Sequence, residues 1–444
     1  MIISLTKYKG IGIFSISIFV SLFVVAQPVT KVAVGDSHTL FLKADGSLWA
    51  MGWNAYGQLG DGTTNDASFP EKILASNVVD IAAGQSHSWF LKSDGSLWGM
   101  GSVGSYQLGN PTKWTYTNRP VQLVSSGVTA ISSSWYHGLF IKKDGSLWSV
   151  GSNQHGEAGI HGYDNYTLTP QKIVGGKVIA IATSYANSLY LRSDGTVWVS
   201  GENDYGQLGK GYNQGDTTNG PIQMSITNVT AIASGYGFNV FIKKDGSLWG
   251  VGGGTELSSS ITNDYAVSMI AASNVTSVSS GFYHVLFTKS DGSVWGSSDN
   301  INGQLGLDDY VPDVPTNLTA ITFGKIFTGG WTSFFVKNDG SLWGAGFDEY
   351  SGLGDGQSID YNTNRFEQII GPYDRIVPQS MTGHAMSLNF VGIGGSNYVL
   401  ELATSLSPPN WAAQVTNIAS AYGPLTFTNV QTTNRTGFWR IQTE

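Results

Sequence analysis

The chain has 444 residues, of which 12% are charged and 12% aromatic, with 58 glycines, no cysteine and a formal net charge of −8. The acid excess excludes a general attraction to nucleic acid or an anionic membrane, and the missing cysteines exclude disulfide staples. Abundant glycine with few charges excludes a disordered or mainly helical chain and fits short strands joined by tight turns.

The first segment, MIISLTKYKG, carries Lys7 and Lys9; an apolar run, IGIFSISIFVSLFVV, follows, and Val24-Val25-Ala26 offers small residues for cleavage before Gln27. This predicts a signal peptide over 1–26 and an exported mature protein, periplasmic, cell-surface or extracellular. The run is short for a bilayer, so no membrane span is expected after cleavage.

From residue 31 a unit repeats, first as KVAVGDSHTLFLKADGSLWAMGWNAYGQLGDG (31–62). Val32 to Val34 is a β-prone run ended by Gly35. Thr39 to Lys43 is apolar on both faces, as a strand between two other sheets must be. Asp45-Gly46 makes the turn, Asp capping it and Gly taking positive φ. Ser47 to Met51 returns as a third strand. A fourth begins at Pro70 and recurs at Pro120, Pro170 and Pro221. The Asp-Gly-x-apolar-Trp signature marks seven copies, at Trp49, Trp98, Trp148, Trp198, Trp249, Trp295 and Trp343, 46 to 51 residues apart.

A small sheet with two apolar faces is not stable alone. Seven copies stacked and closed into a ring bury both faces of each. The expected fold is all-β: a seven-bladed β-propeller over 27–378, followed by a small β-sandwich over 379–444. An open solenoid would need capping units that the sequence does not offer. The phase of closure stays open, with VTKVAV near the mature start able to pair with FEQII from residue 366.

The seven tryptophans read as wedges between neighbouring blades, because seven equivalent positions cannot form one site. His38, His87, His137 and His284 precede the turn Asp by seven residues in four different blades; Asn187, Phe238 and Thr332 stand there in the others. Ligands of one ion sit about 2 Å from it, which equivalent points on separate blades cannot achieve. A structural hydrogen bond is therefore expected, and no metal or cofactor. His155, Glu157, His161 and Asp164 in blade three are zinc-binding types but match no tight motif. Asp61, Asp66, Asp355 and Asp360 read as turn residues rather than a calcium ladder.

The two residues between Gly and His vary where the rest repeats. They are Asp36-Ser37, Gln85-Ser86, Trp135-Tyr136, Tyr185-Ala186, Tyr236-Gly237, Phe282-Tyr283 and Gly330-Trp331. Each pair lies in the loop joining the first two strands, so all emerge on one face. Trp135, Tyr136, Tyr185, Tyr236, Phe282, Tyr283 and Trp331 thus form an arc over blades three to seven. Two readings stand: a recognition surface, or rings folded inward over the rim of the core.

Gly-x-x-His (Gly35/His38, Gly84/His87, Gly281/His284), Asp-Gly-x-apolar-Trp and Asn-x-x-Gly-Gln-Leu-Gly recur in order. The last stands as NAYGQLG (54–60), NDYGQLG (203–209) and NINGQLG (300–306). It is altered in VGSYQLG, NQHGEAG and DEYSGLG, and replaced by GGGTELSSS in the fifth unit. Over about 28–377 the chain resembles the regulator of chromosome condensation repeat family. The resemblance implies a seven-bladed propeller and carries no activity with it. The family's namesake exchanges guanine nucleotide on a nuclear GTPase; an acidic, exported chain without a basic tail fits that role poorly. Exported bacterial members are nearer, among them a β-lactamase inhibitor protein that presents loops on one propeller face.

After about residue 378 the period breaks. Alternation over 385–406, then LTFTNV (425–430) and FWRIQ (438–442), predicts five or six strands, similar to the short terminal β-domain of exported bacterial proteins. No nucleophile–base pair, phosphate loop or set of paired carboxylates emerges, so no enzyme is expected. The expected function is a secreted or cell-surface, monomeric propeller that binds another protein through the aromatic arc. A carbohydrate-binding propeller is the alternative; nucleotide exchange and metal-dependent catalysis rank below both.

Overall fold

The computed structural model describes residues 27–109, 115–161, 165–210, 220–253, 266–298, 300–307, 315–318 and 324–355, and strand segments between 362 and 443. The expected signal segment, Asp164, Asp360 and most of GGGTELSSS lie outside the described residues.

Blade one shows how a unit forms. Strands β1 (Val29–Val34), β2 (His38–Lys43), β3 (Leu48–Gly52) and β4 (Ala67–Leu74) pair antiparallel in sequence order. In β2, five of the six residues are buried, as two flanking sheets require. Gly46 closes the β2–β3 turn at φ 76°, a left-handed conformation that a side chain would resist. Asp45 braces the turn by accepting from the Ser47 backbone N at 2.9 Å.

Six further four-stranded sheets follow in the same order, making seven blades in all. Their first strands are Val78–Ala83, Val128–Ser133, Val178–Ser184, Val229–Gly235, Val275–Ser280 and Lys325–Gly329. Each first strand contacts those of the two adjoining blades, and Lys325–Gly329 of blade seven lies against β1, so the ring closes. The Thr39 hydroxyl of blade one donates to Gly352 O of blade seven at 2.8 Å, and Lys325 Nζ reaches Thr30 O at 3.1 Å. Closure uses no strand exchange: VTKVAV pairs with β2 of its own blade, and FEQII belongs to Asn362–Ile370, the fourth strand of blade seven. Each segment is already paired within its own blade, which leaves neither free to pair with the other.

The core is a series of clusters between blades. Leu40, Leu48 and Leu59 of blade one meet Ile81, Phe90 and Met100 of blade two. Leu189, Val199 and Leu208 meet Phe241 and Val251 in the same way. Each fully buried Leu or Phe contributes about 1.5–3 kcal/mol, so the interfaces hold the ring. Trp98, Trp148, Trp198, Trp249, Trp295 and Trp343 pack half-buried against these clusters, the wedge position expected of them. They also do more: each indole carries a cation, as Trp98 does Lys92 Nζ at 4.2 Å, and Trp98, Trp148, Trp198 and Trp295 stack on a ring of the second strand, Trp98 on Phe90 at 6.3 Å.

The chain divides into two compact units, one holding Val29–Asn338 with Trp343–Glu367, the other including Gln368–Glu444. In the second, Val377–Thr382, Ala385–Gly392 and Gly423–Gln431 form one three-stranded antiparallel sheet. Ala412–Ile418, Asn397–Ala403 and Phe438–Thr443 form another.

Candidate binding surface

The loop joining the first two strands is short and leaves each sheet at the same end in every blade. Its conformation is fixed by backbone bonds, such as Gly84 N to His87 O at 2.9 Å. Loops of adjoining blades are also stitched together: Tyr236 N donates to Phe282 O at 2.9 Å, and Phe282 N to Gly330 O at 2.8 Å. The varying residues are therefore presented from a rigid rim.

All seven residues of the arc come together in one ring cluster. Trp135 is its hub, 4.8 Å from Tyr185, 5.4 Å from Phe282, 5.9 Å from Tyr136 and 6.3 Å from Tyr236 between ring centroids. Tyr236 stands 5.3 Å from Tyr283, which lies 4.6 Å from Trp331. The contact of Trp135 in blade three with Phe282 in blade six crosses the mouth. Edge-to-face pairs of this kind add about 0.5–1.5 kcal/mol each beyond area burial. All seven side chains are half-buried, so they both cover the end of the channel and keep an accessible surface.

Beneath them lies a cavity of about 130 Å³ lined by the ends of the seven first strands, with Trp135, Tyr185 and Phe282 above. Trp135 Nε1 is buried without a hydrogen-bond partner. Burial raises the Tyr136 hydroxyl pKa, with Tyr185 and Asp36 adding to the effect. Tyr185 and Tyr236 are raised for the same first reason, and Glu202 acts on both. The surroundings of these phenols are acidic.

Four aromatic residues escaped the sequence reading. Tyr205 is 44% exposed and extends the cluster, 5.9 Å from Tyr236. Tyr56 and Tyr350, 40% and 45% exposed, flank Trp53 at 5.5 and 5.8 Å across the seam of blades one and seven. The three tyrosines share the third position of Asn-x-x-Gly, a motif read as scaffold. Variation at that position was the available signal.

The histidines bond across blades. His38 Nε2 meets Ser88 Oγ of the next blade at 2.9 Å, His137 Nε2 meets Ser188 Oγ at 2.7 Å, and His284 Nε2 meets Ser333 Oγ at 2.9 Å. Glu157 is buried and accepts from His155 N at 2.7 Å, replacing the motif's Gln, which at Gln58 accepts from Tyr56 N. Among the described residues no three His, Asp or Glu side chains assemble as metal ligands.

Residues 18–268, more than half of the chain, match the RCC1-like domain. The chain belongs to the RCC1-like domain family. Residues 275–304 of this RCC1-like protein also match the regulator of chromosome condensation (RCC1) repeat. Its fold is similar to that of human WBSCR16, with a TM-score of 0.62 at 22% identity over 68% of this chain and 86% of that one. It is likewise similar to Prp20p from Saccharomyces cerevisiae, with a TM-score of 0.65 at 17% identity over 78% and 87%. A 40-residue stretch is 45% identical to the X-linked retinitis pigmentosa GTPase regulator homolog of Caenorhabditis elegans. That match covers 9% of the RCC1-like chain and 3% of the worm protein.

Proposed function

We infer that this RCC1-like propeller is a secreted or cell-surface protein that binds another protein through its aromatic face and performs no catalysis. The observation that carries the reading is the ring cluster around Trp135: half-buried rings from five loops on a backbone-bonded rim. Rigid aromatic side chains give large contact area at low entropic cost, which is what interface centres use. Prp20p, a propeller of similar fold, is described with binding properties to Gsp1p and histones, which supports protein recognition as the family's use of the scaffold. Export rests on the apolar leader of the sequence.

The test is capture from the native culture medium by the purified chain and by a W135A/Y236A/W331A variant. Loss of a protein partner in the variant, with the thermal transition retained, is expected. Unchanged capture would sink the reading, and competition by free sugar would turn it towards a glycan.

A further inference from the structure

The aromatic face has a second regularity, in its charge. In each blade the loop between strands one and two and the loop between strands three and four leave the same end of the sheet. Backbone bonds tie them: Trp53 N to Ser37 O and Ser102 N to Ser86 O at 2.8 Å, Glu202 N to Ala186 O at 2.9 Å. Among the described residues of these loops, Asp36, Asp61, Asp66, Glu202, Asp204 and Asp355 are exposed or half-buried carboxylates. Against these six, the loops hold one lysine, Lys210, and Arg119 reaches Gly62 from a neighbouring fourth strand. The whole chain, with 31 acids and 23 bases, is far closer to balance.

The opposite face shows the contrast. There Lys43, Lys92, Lys142, Arg192, Lys243, Lys289 and Lys337 each lie over an indole, at 3.6 to 5.9 Å from the ring centroid. The turn aspartates stand beside them, so cations and anions alternate. The mouth face has the aromatics and the acids without those cations. Tyr205 follows exposed Asp204 in the chain, and Tyr56 and Tyr350 stand in the loops that carry Asp61 and Asp355.

We propose that the occupant of this face is a basic segment of a protein partner, whose Arg and Lys side chains lie on Tyr56, Tyr205 and Tyr350 between the loop carboxylates. The proposal rests on the protein-binding reading above and names the partner's chemistry. A guanidinium stacks on an aromatic face and pairs with a carboxylate at once, and Asp204 and Tyr205 are exposed neighbours in one loop. An acidic segment would meet a face on which, among the described residues, carboxylates outnumber cations.

The probe is a fluorescein-labelled decapeptide of alternating Arg and Gly, with a Glu-Gly decapeptide as control, titrated against the full chain by anisotropy. The arginine peptide is expected to bind and to weaken on the order of tenfold between about 50 and about 300 mM salt, while the acidic peptide does not bind. A Y205A/Y350A variant, unchanged in charge and folded because both rings are exposed, is expected to weaken binding at least several-fold. Absence of arginine-peptide binding at the lower salt would overturn the proposal. So would equal binding by the variant, since diffuse attraction to an acidic protein would then suffice. Salt-sensitive self-association lost in the same variant would also overturn it, by making a second copy the occupant. If the peptide fails while W135A/Y236A/W331A still loses its captured protein, this inference falls and the protein-binding reading stands. Unchanged capture by that variant sinks the reading and this inference with it.

Discussion

The Ser88 hydroxyl donates to Gln58 O at 2.8 Å, so its oxygen must accept from His38 Nε2, which fixes that imidazole as the neutral Nε2–H tautomer. Burial pushes His38 down to about 4, and His87, His137 and His284 down to about 3. An unfolded histidine titrates near 6.5, so between about pH 3 and about 6.5 the unfolded chain binds more protons than the native one. Stability therefore rises with pH across that window and levels above it. Melting temperature followed from pH 4 to 7 is expected to show this. His284→Asn, using the residue blade four carries at Asn187, should remove about one proton from the slope. Asp348 behaves oppositely. It replaces the motif Asn, its Oδ1 accepts from Leu353 N at 2.7 Å, and its Oδ2 is buried where Asn54 places an amide donor to Asp61. Burial, with Asp355 and Glu367 nearby, raises it to about 8. The native state then holds a proton that the unfolded state loses near pH 4, so this residue's contribution falls as pH rises from about 4 to about 8. Asp348→Asn should raise the melting temperature by an amount that grows over that range; a pH-independent difference would contradict it.

At the scale of the strand pair, the Asp-Gly turn is the device that makes a blade reproducible. Ser146 Oγ donates to Asp144 Oδ1 at 2.5 Å and accepts from Trp148 Nε1 at 2.9 Å, so turn and wedge are one hydrogen-bonded unit. Hydrogen bonds from the Ser146 side chain and backbone hold the Asp144 carboxyl below its usual range. Gly145 sits at φ 74°, and an added Cβ would lie 2.9 Å from Lys177 N. Gly145→Ala should cost about 1–2 kcal/mol for the left-handed backbone alone, measured by urea unfolding. This element was legible in the sequence, because its chemistry is local: Asp, Gly, Ser and Trp lie within five residues. The motif substitutions were less so. Glu157 for Gln and Asp348 for Asn keep the acceptor geometry of the residues they replace, and only burial reveals what each change does to the donor side.

For the whole molecule, seven blades and the shared face followed from a period near fifty, since antiparallel order puts equivalent loops at one end. What local pattern could not supply was distance around the ring. The meeting of Trp135 with Phe282 spans three blades, and the pairing of Trp53 with Tyr350 joins nearly the two ends of the propeller sequence. Both depend on closure, as does the Thr39–Gly352 bond. Closure without strand exchange also means that blade seven is held to blade one by side-to-side packing and bonds such as that of Thr39 to Gly352, so Thr39→Val should lower the melting temperature, by about 1 kcal/mol of lost hydrogen bonding. A cysteine-free chain allows closure itself to be measured by paired spin labels at cysteines introduced at the equivalent exposed turn positions: Ala44 with Ser93 for blades one and two, Ala44 with Ser193 for one and four, Ala44 with Asn338 for one and seven. A closed ring requires the one–seven distance to resemble the one–two distance and both to be shorter than one–four. Distances that grow steadily from the second blade to the seventh would contradict it.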